Sequence, residues 1–189
     1  MAVVPFPSRL PLLACLVLVA CASMVPTTAA RLSTLDPLTA DPGQITVALV
    51  LPPGLQVTPG TAVLTLAARR GDMALADSFT LVPKPTPGVT PPAGSVVAGF
   101  GLAGDDLARM RDLQADVAAW KATGASAATL SVGVGGCAVG DGPAPDATGA
   151  VLIRLSAEAP FQPLIHPTRL TSLLGPEALN AISPCHAAN

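Results

Sequence analysis

Residues 61–82, TAVLTLAARRGDMALADSFTLV, decide the fold of this chain. Apolar side chains alternate along residues 61–70, and the alternation resumes along residues 74–82. A period of two is typical of a strand with one buried face. Between the two segments, residues 70–73 read Arg-Gly-Asp-Met, and Gly and Asp tolerate the backbone angles of a tight turn. The stretch therefore predicts an antiparallel hairpin.

Other short segments repeat this period. It predicts further strands over residues 44–51, 95–102, 127–139 and 150–156, and an extended segment over 160–167. Residues 83–94, PKPTPGVTPPAG, cannot lie inside a sheet, because proline lacks the backbone donor that a sheet requires. We expect a surface loop that works as a rigid connector, with recognition by an aromatic groove as the alternative.

Residues 104–124 have the spacing of a helix. Their large apolar side chains fall within one arc of that helix: Leu107, Met110, Leu113, Val117 and Trp120. Asp105 and Asp106 lie at the N-terminal end, where the helix dipole favours carboxylates, and Gly124 is a typical stop. The pattern predicts an amphipathic helix that packs its apolar stripe on a sheet.

These elements define the predicted fold class, which is α+β and mainly β. We expect about six antiparallel strands, with one long amphipathic helix packed on a sheet face. Antiparallel pairing is favoured because the early links are of hairpin length. Two short helical turns, over residues 168–175 and 176–182, complete a single domain that spans residues 44–189. A single sheet and a sandwich are both compatible with the pattern.

The N-terminus has the composition of a targeting segment. Arg9 precedes the apolar run LPLLACLVLVA at residues 10–20, which is shorter than the roughly 20 residues of a membrane-spanning helix. The run ends in Leu-Val-Ala-Cys at residues 18–21, and these residues resemble the signal peptide and lipobox of bacterial lipoproteins. The resemblance implies that residues 1–20 are removed and that the sulfur of Cys21 carries a lipid.

Two alternatives compete with this interpretation. Residues 12–15 also resemble a lipobox with Cys15 as the acceptor, but they leave too short an apolar run after Arg9. Ordinary signal cleavage without a lipid would instead give a soluble periplasmic or secreted protein.

The resemblance also bears on location. In Gram-negative lipoproteins, Asp after the lipidated cysteine tends to retain the protein in the inner membrane, whereas this chain has Ala22. The resemblance therefore implies a lipid-anchored protein at the periplasmic face of the outer membrane. Residues 21–43 have no sustained period and are expected to form the lipidated N-terminus and a tether. The alternative for them is an ordered segment that lies on the domain.

The remaining cysteines predict a disulfide. With the signal segment removed and Cys21 lipidated, Cys137 and Cys185 are left in an oxidising compartment, where such thiols usually pair. Unpaired buried thiols are one alternative. A metal site that also uses His166 and His186 is another, but these residues do not have the spacing of zinc ligands.

Charge and motifs limit the function classes. The chain has 10 basic and 12 acidic side chains without a basic cluster, so nucleic acid is an unfavourable partner. It has no nucleophile elbow and no dinucleotide fingerprint, and we expect no cofactor. The sequence favours a membrane-anchored, non-catalytic binding or structural module of the cell envelope, with an envelope protein as its partner. The alternative is a periplasmic metal-binding or hydrolytic enzyme that uses His166 and His186.

Overall fold

The structure is a computed structural model, and it describes residues 28–30, 37–124 and 127–185. The predicted signal segment, the lipid acceptor Cys21 and His186 lie outside these residues. The strands of the described residues are β1 (Thr28–Ala30), β2 (Thr46–Leu51), β3 (Leu55–Val57), β4 (Val63–Arg70), β5 (Met73–Pro83), β6 (Val96–Leu102), β7 (Ala127–Gly133), β8 (Gly136–Ala138), β9 (Thr148–Arg154) and β10 (Gln162–Arg169). The helices are α1 (Leu107–Thr123), which a short 3-10 turn precedes, α2 (Leu170–Leu174) and α3 (Pro176–Asn180).

Eight of these strands form one antiparallel sheet, in the order β1-β7-β4-β5-β6-β2-β9-β10. Strand β5 joins its two halves, because residues 73–80 pair with β4 and residues 81–83 pair with β6. The sheet is curled, and the mainly β fold class is confirmed. The expected number of six strands is too low. Strand β10, predicted only as an extended segment, pairs with β9, and the short β1 extends the sheet beyond β7.

The β4–β5 hairpin has the predicted form. Its register runs from Val63 opposite Thr80 to Arg70 opposite Met73. Gly71 has a φ of 58° and is the turn residue with a positive φ, as in a type II′ turn. The alternating side chains of both strands therefore keep their apolar members on one face of the sheet.

That inner face and α1 enclose the hydrophobic core. Its largest fully buried side chain is Phe79 of β5. The other large apolar members come from both halves of the sheet and from the helix: Ile45, Val47, Leu49, Leu64, Leu66, Leu81, Met110, Leu113, Val117, Leu130 and Ile153. Burial of each such side chain contributes about 1.5–3 kcal/mol. One core thus joins the two halves of the sheet.

Helix α1 crosses from β6 to β7 and packs on β4 and β5. The predicted apolar stripe is confirmed, with Met110, Leu113 and Val117 buried and with Leu107 and Trp120 partly buried at its ends.

Residues 37–43, the end of the predicted tether, lie against α1. The amide of buried Gln114 donates to the carbonyl oxygens of Pro37 at 2.6 Å and Ala40 at 3.0 Å. Asp41 forms an ion pair with Arg111 at 2.9 Å. A hydrogen bond from the backbone of Gly43 and then this ion pair lower the pKa of Asp41. Several polar contacts therefore hold the chain against the helix before β2 begins.

A second, two-stranded sheet pairs β3 with β8. The single strand expected over residues 127–139 is wrong, because β7 ends at Gly133 and the chain resumes as β8. Between them, the backbone N–H of Gly135 donates to the hydroxyl of Thr61 at 3.0 Å. A Cβ at Gly135 would lie 2.9 Å from the Thr61 side chain, so the glycine permits this close approach.

The predicted disulfide between Cys137 and Cys185 is present. It connects β8 to the C-terminal tail, and backbone bonds accompany it. The N–H of Ala138 donates to Ser183 at 2.9 Å, and the N–H of Cys185 donates to the carbonyl of Ala138 at 2.8 Å. The crosslink and the bonds together attach the segment after α3 to the second sheet.

Candidate functional site

The proline-rich loop, residues 84–95, folds back over the outer face of the sheet. The backbone N–H of Lys84 donates to the carbonyl oxygen of Gly99 in β6 at 2.8 Å. The ammonium of Lys84 donates to the carbonyl oxygens of Gly43 at 2.8 Å and Ile45 at 3.4 Å. The loop is therefore attached to the sheet at its first residue rather than projecting into solvent.

Two glycines of β6 make room for this crossing. Gly99 and Gly101 are two residues apart, so they lie on the same face of the strand. A Cβ at Gly99 would overlap the Lys84 carbonyl oxygen and the Thr86 side chain, and a Cβ at Gly101 would lie 2.6 Å from the Lys84 side chain. The glycine spacing in β6 thus allows the loop to cover the outer face.

The covered face leads to a cavity beside the loop. Gly99 lies in one row with Ala48 and Leu152, and Gly101 lies in the next row with Thr46 and Arg154. Leu152 and Arg154 of β9 therefore point to the face that the loop crosses. They line a cavity of about 460 Å³. Its other lining residues come from the loop and from the link between β9 and β10: Pro87, Gly88, Val89, Thr90, Ala159, Pro160 and Phe161.

Arg154 is the charged residue in this lining. Its guanidinium carbon lies 4.7 Å from the centroid of the Phe161 ring, a cation–π arrangement. Its Nε atom is buried without a hydrogen-bond partner. Among the described residues, no carboxylate forms an ion pair with it. Because buried polar groups are nearly always paired, this guanidinium has capacity for a further acceptor.

Lys84 adds a second positive charge on the outer face of the sheet. Burial lowers the pKa of Lys84, repulsion from Arg154 lowers it further, and Asp41 acts in the opposite direction. The Lys84 side chain packs against Gly101, which lies in the same row of the sheet as Arg154. The two cations therefore lie on the same face of the sheet.

Of the two histidines of the enzymatic alternative, only His166 lies within the described residues, and its position can be compared with that of this cavity. His166 is exposed in β10 and does not line it. Across the described ranges, no group of three or more His, Cys, Asp or Glu side chains could hold a metal ion. Within the same ranges, no helix has the length and apolar character needed to cross a membrane.

Neither Arg154 nor Phe161 has a local sequence pattern that is typical of a binding residue. The signal that could have found the site is the pair Gly99 and Gly101 inside a predicted strand. Two glycines on one strand face indicate that another segment approaches closely. The segment that approaches these glycines is the proline-rich loop that directly precedes β6.

Comparison with known proteins finds no family model, no curated protein and no solved structure that matches the chain. Function is therefore inferred from the cavity. Its apolar side chains and the Arg154 guanidinium can together contact a ligand that has an apolar body and a negatively charged group.

Proposed function

We propose that this protein is an exported, lipid-anchored binding module of the cell envelope, held by Cys21 and without catalytic activity. The cavity between the proline-rich loop and β9 carries this proposal. It is a partly open cleft of about 460 Å³ in which one cation lies beside apolar side chains. A protein partner in the envelope fits the same proposal if one of its side chains or its terminus fills the cavity.

Two features support the location in this proposal. The residues up to Cys21 resemble a lipoprotein signal, and Ala22 favours the outer membrane. The Cys137–Cys185 disulfide is a bond that persists in oxidising compartments such as the periplasm. Both features point to export.

Lipid attachment is tested by replacing the acceptor, Cys21→Ser, in a bacterial host that processes lipoproteins. We expect the wild-type protein in the membrane fraction and in the detergent phase of a phase-partition assay, with a diacylglycerol adduct in its intact mass. The variant loses the thiol that forms the thioether, so it should be absent from the membrane fraction and from the detergent phase. Cys15→Ser is the matched control and should behave as the wild type. Release of the Cys15 variant, or retention of the Cys21 variant, would contradict the proposed anchor.

Ligand binding is tested by filling the cavity with Val89→Trp, on the loop wall. The low-molecular-weight fraction of an envelope extract should raise the melting temperature of the wild-type protein by a few degrees, because a ligand that binds only the folded state stabilises it. The variant should show no such rise. Val139→Trp is the control, since Val139 is exposed and lies outside the cavity lining. An equal rise in all three proteins would place the binding elsewhere.

A further inference from the structure

The cavity places an unpaired cation beside apolar side chains. Arg154 is its charged residue, and its apolar side chains include Pro87, Val89, Leu152 and Phe161. A charge that is partly withdrawn from water is costly unless an opposite charge pairs with it. Among the described residues, the protein supplies no carboxylate for this purpose.

We propose that the cavity binds a small organic monocarboxylate, with its carboxylate on the Arg154 guanidinium and its apolar body against the loop and Phe161. This inference rests on the proposed binding function and specifies the ligand. A guanidinium presents parallel N–H donors that match the two oxygens of a carboxylate. The contact with the Phe161 ring, 4.7 Å from the guanidinium carbon, helps to hold the Arg154 side chain in place before a ligand arrives.

The charges around the cavity favour a ligand with one negative charge over a ligand with two. The ammonium of Lys84 already donates to the Gly43 and Ile45 carbonyls, and Lys84 is not part of the lining. Arg154 therefore provides one positive charge for direct contact. A phosphate dianion would leave one negative charge without a direct counter-ion, whereas a carboxylate would be neutralised.

The lining favours a ligand that is more than a bare anion. Side chains of Pro, Val, Leu and Phe cannot replace the hydration of a small inorganic ion, but they gain from contact with an apolar body. Thr90 is a further polar residue of the lining. A compact aromatic or branched aliphatic acid satisfies both the cation and the walls.

The test uses the processed protein in a non-ionic detergent, with phenylacetate, phenylacetamide and inorganic phosphate as probes. We expect saturable binding of phenylacetate by NMR titration, with phenylacetamide and phosphate bound at least about tenfold more weakly. Arg154→Gln should weaken phenylacetate binding by about 10- to 100-fold and leave phenylacetamide binding unchanged. Arg154→Lys keeps the charge but loses the parallel donors. Its affinity for phenylacetate should lie between those of the wild type and of Arg154→Gln. The control is Arg69→Gln, because Arg69 is exposed at the end of β4 and lies outside the lining.

The contrary outcomes separate the two proposals. Equal binding of phenylacetamide by the wild type would overturn the carboxylate inference and leave the cavity as a binding site. Equal binding of phosphate would show a bare-anion site and would also overturn it. A third outcome is that phenylacetate fails to bind while the envelope fraction still raises the melting temperature of the wild type and not that of Val89→Trp. That result would refute the ligand class and keep the proposed binding function.

Discussion

Replacing both disulfide cysteines, Cys137→Ser and Cys185→Ser, is expected to lower the free energy of unfolding by about 2–4 kcal/mol. The bond closes a loop whose ends are 48 positions apart, so the reduced unfolded chain gains conformational freedom. In the native state, the disulfide also supports the backbone hydrogen bonds that Ala138 of β8 makes with Ser183 and Cys185.

Urea unfolding of the wild type and of the double variant measures this loss. The matched control is chemical, because a reducing agent should bring the wild type to the stability of the variant and leave the variant unchanged. A wild type that keeps its full stability under reduction would show that the bond contributes nothing. Intact mass adds an independent check, since the oxidised protein lacks two hydrogens.

Gly99→Val is expected to destabilise the protein by about 1–3 kcal/mol and to detach the proline-rich loop. The new side chain would occupy the space of the Lys84 carbonyl and of the Thr86 side chain. Either the loop or strand β6 must therefore move. The loop should move, because β6 is paired along its length with β2. The backbone bond from Lys84 to Gly99 should therefore break.

Gly133→Val in β7 is the matched control. A Cβ at Gly133 meets nothing within 4 Å, and a β-branched side chain is favourable in a strand. Urea unfolding compares the two variants, and hydrogen exchange at the Lys84 amide reports the loop. Unchanged protection at Lys84 in the Gly99 variant, or equal destabilisation by both variants, would contradict the role given to Gly99. The Gly99 variant should also lose phenylacetate binding, because the loop is one wall of the cavity.

The parts of the fold that were predictable depend on local patterns. The period of two in residues 61–82 predicts the hairpin, and the apolar stripe of α1 predicts which side is buried. The disulfide followed from counting the cysteines left after export. These signals lie within single segments or in composition, so one sequence is enough to find them.

The features that were missed depend on contacts between distant segments. Strand β3 pairs with β8, which lies far along the chain from it. The cavity likewise requires the loop after β5 to cross β6 and reach β9. Arg154 in an apolar strand has no local signature of a binding residue. Only the docked loop makes it the single charged residue of a cavity.

The position of β1 has a consequence for a lipid-anchored protein. Strand β1 begins at Thr28, so a lipid on Cys21 would be connected to the sheet by a leash of at most about 25 Å. The leash would enter at the β1 end of the strand order, whereas β9, which lines the cavity, lies near the opposite end. In the proposed lipid-anchored form, the folded sheet would therefore stay within a few tens of ångström of the bilayer surface. The anchor would then limit the protein to ligands and partners that come within that distance of the membrane.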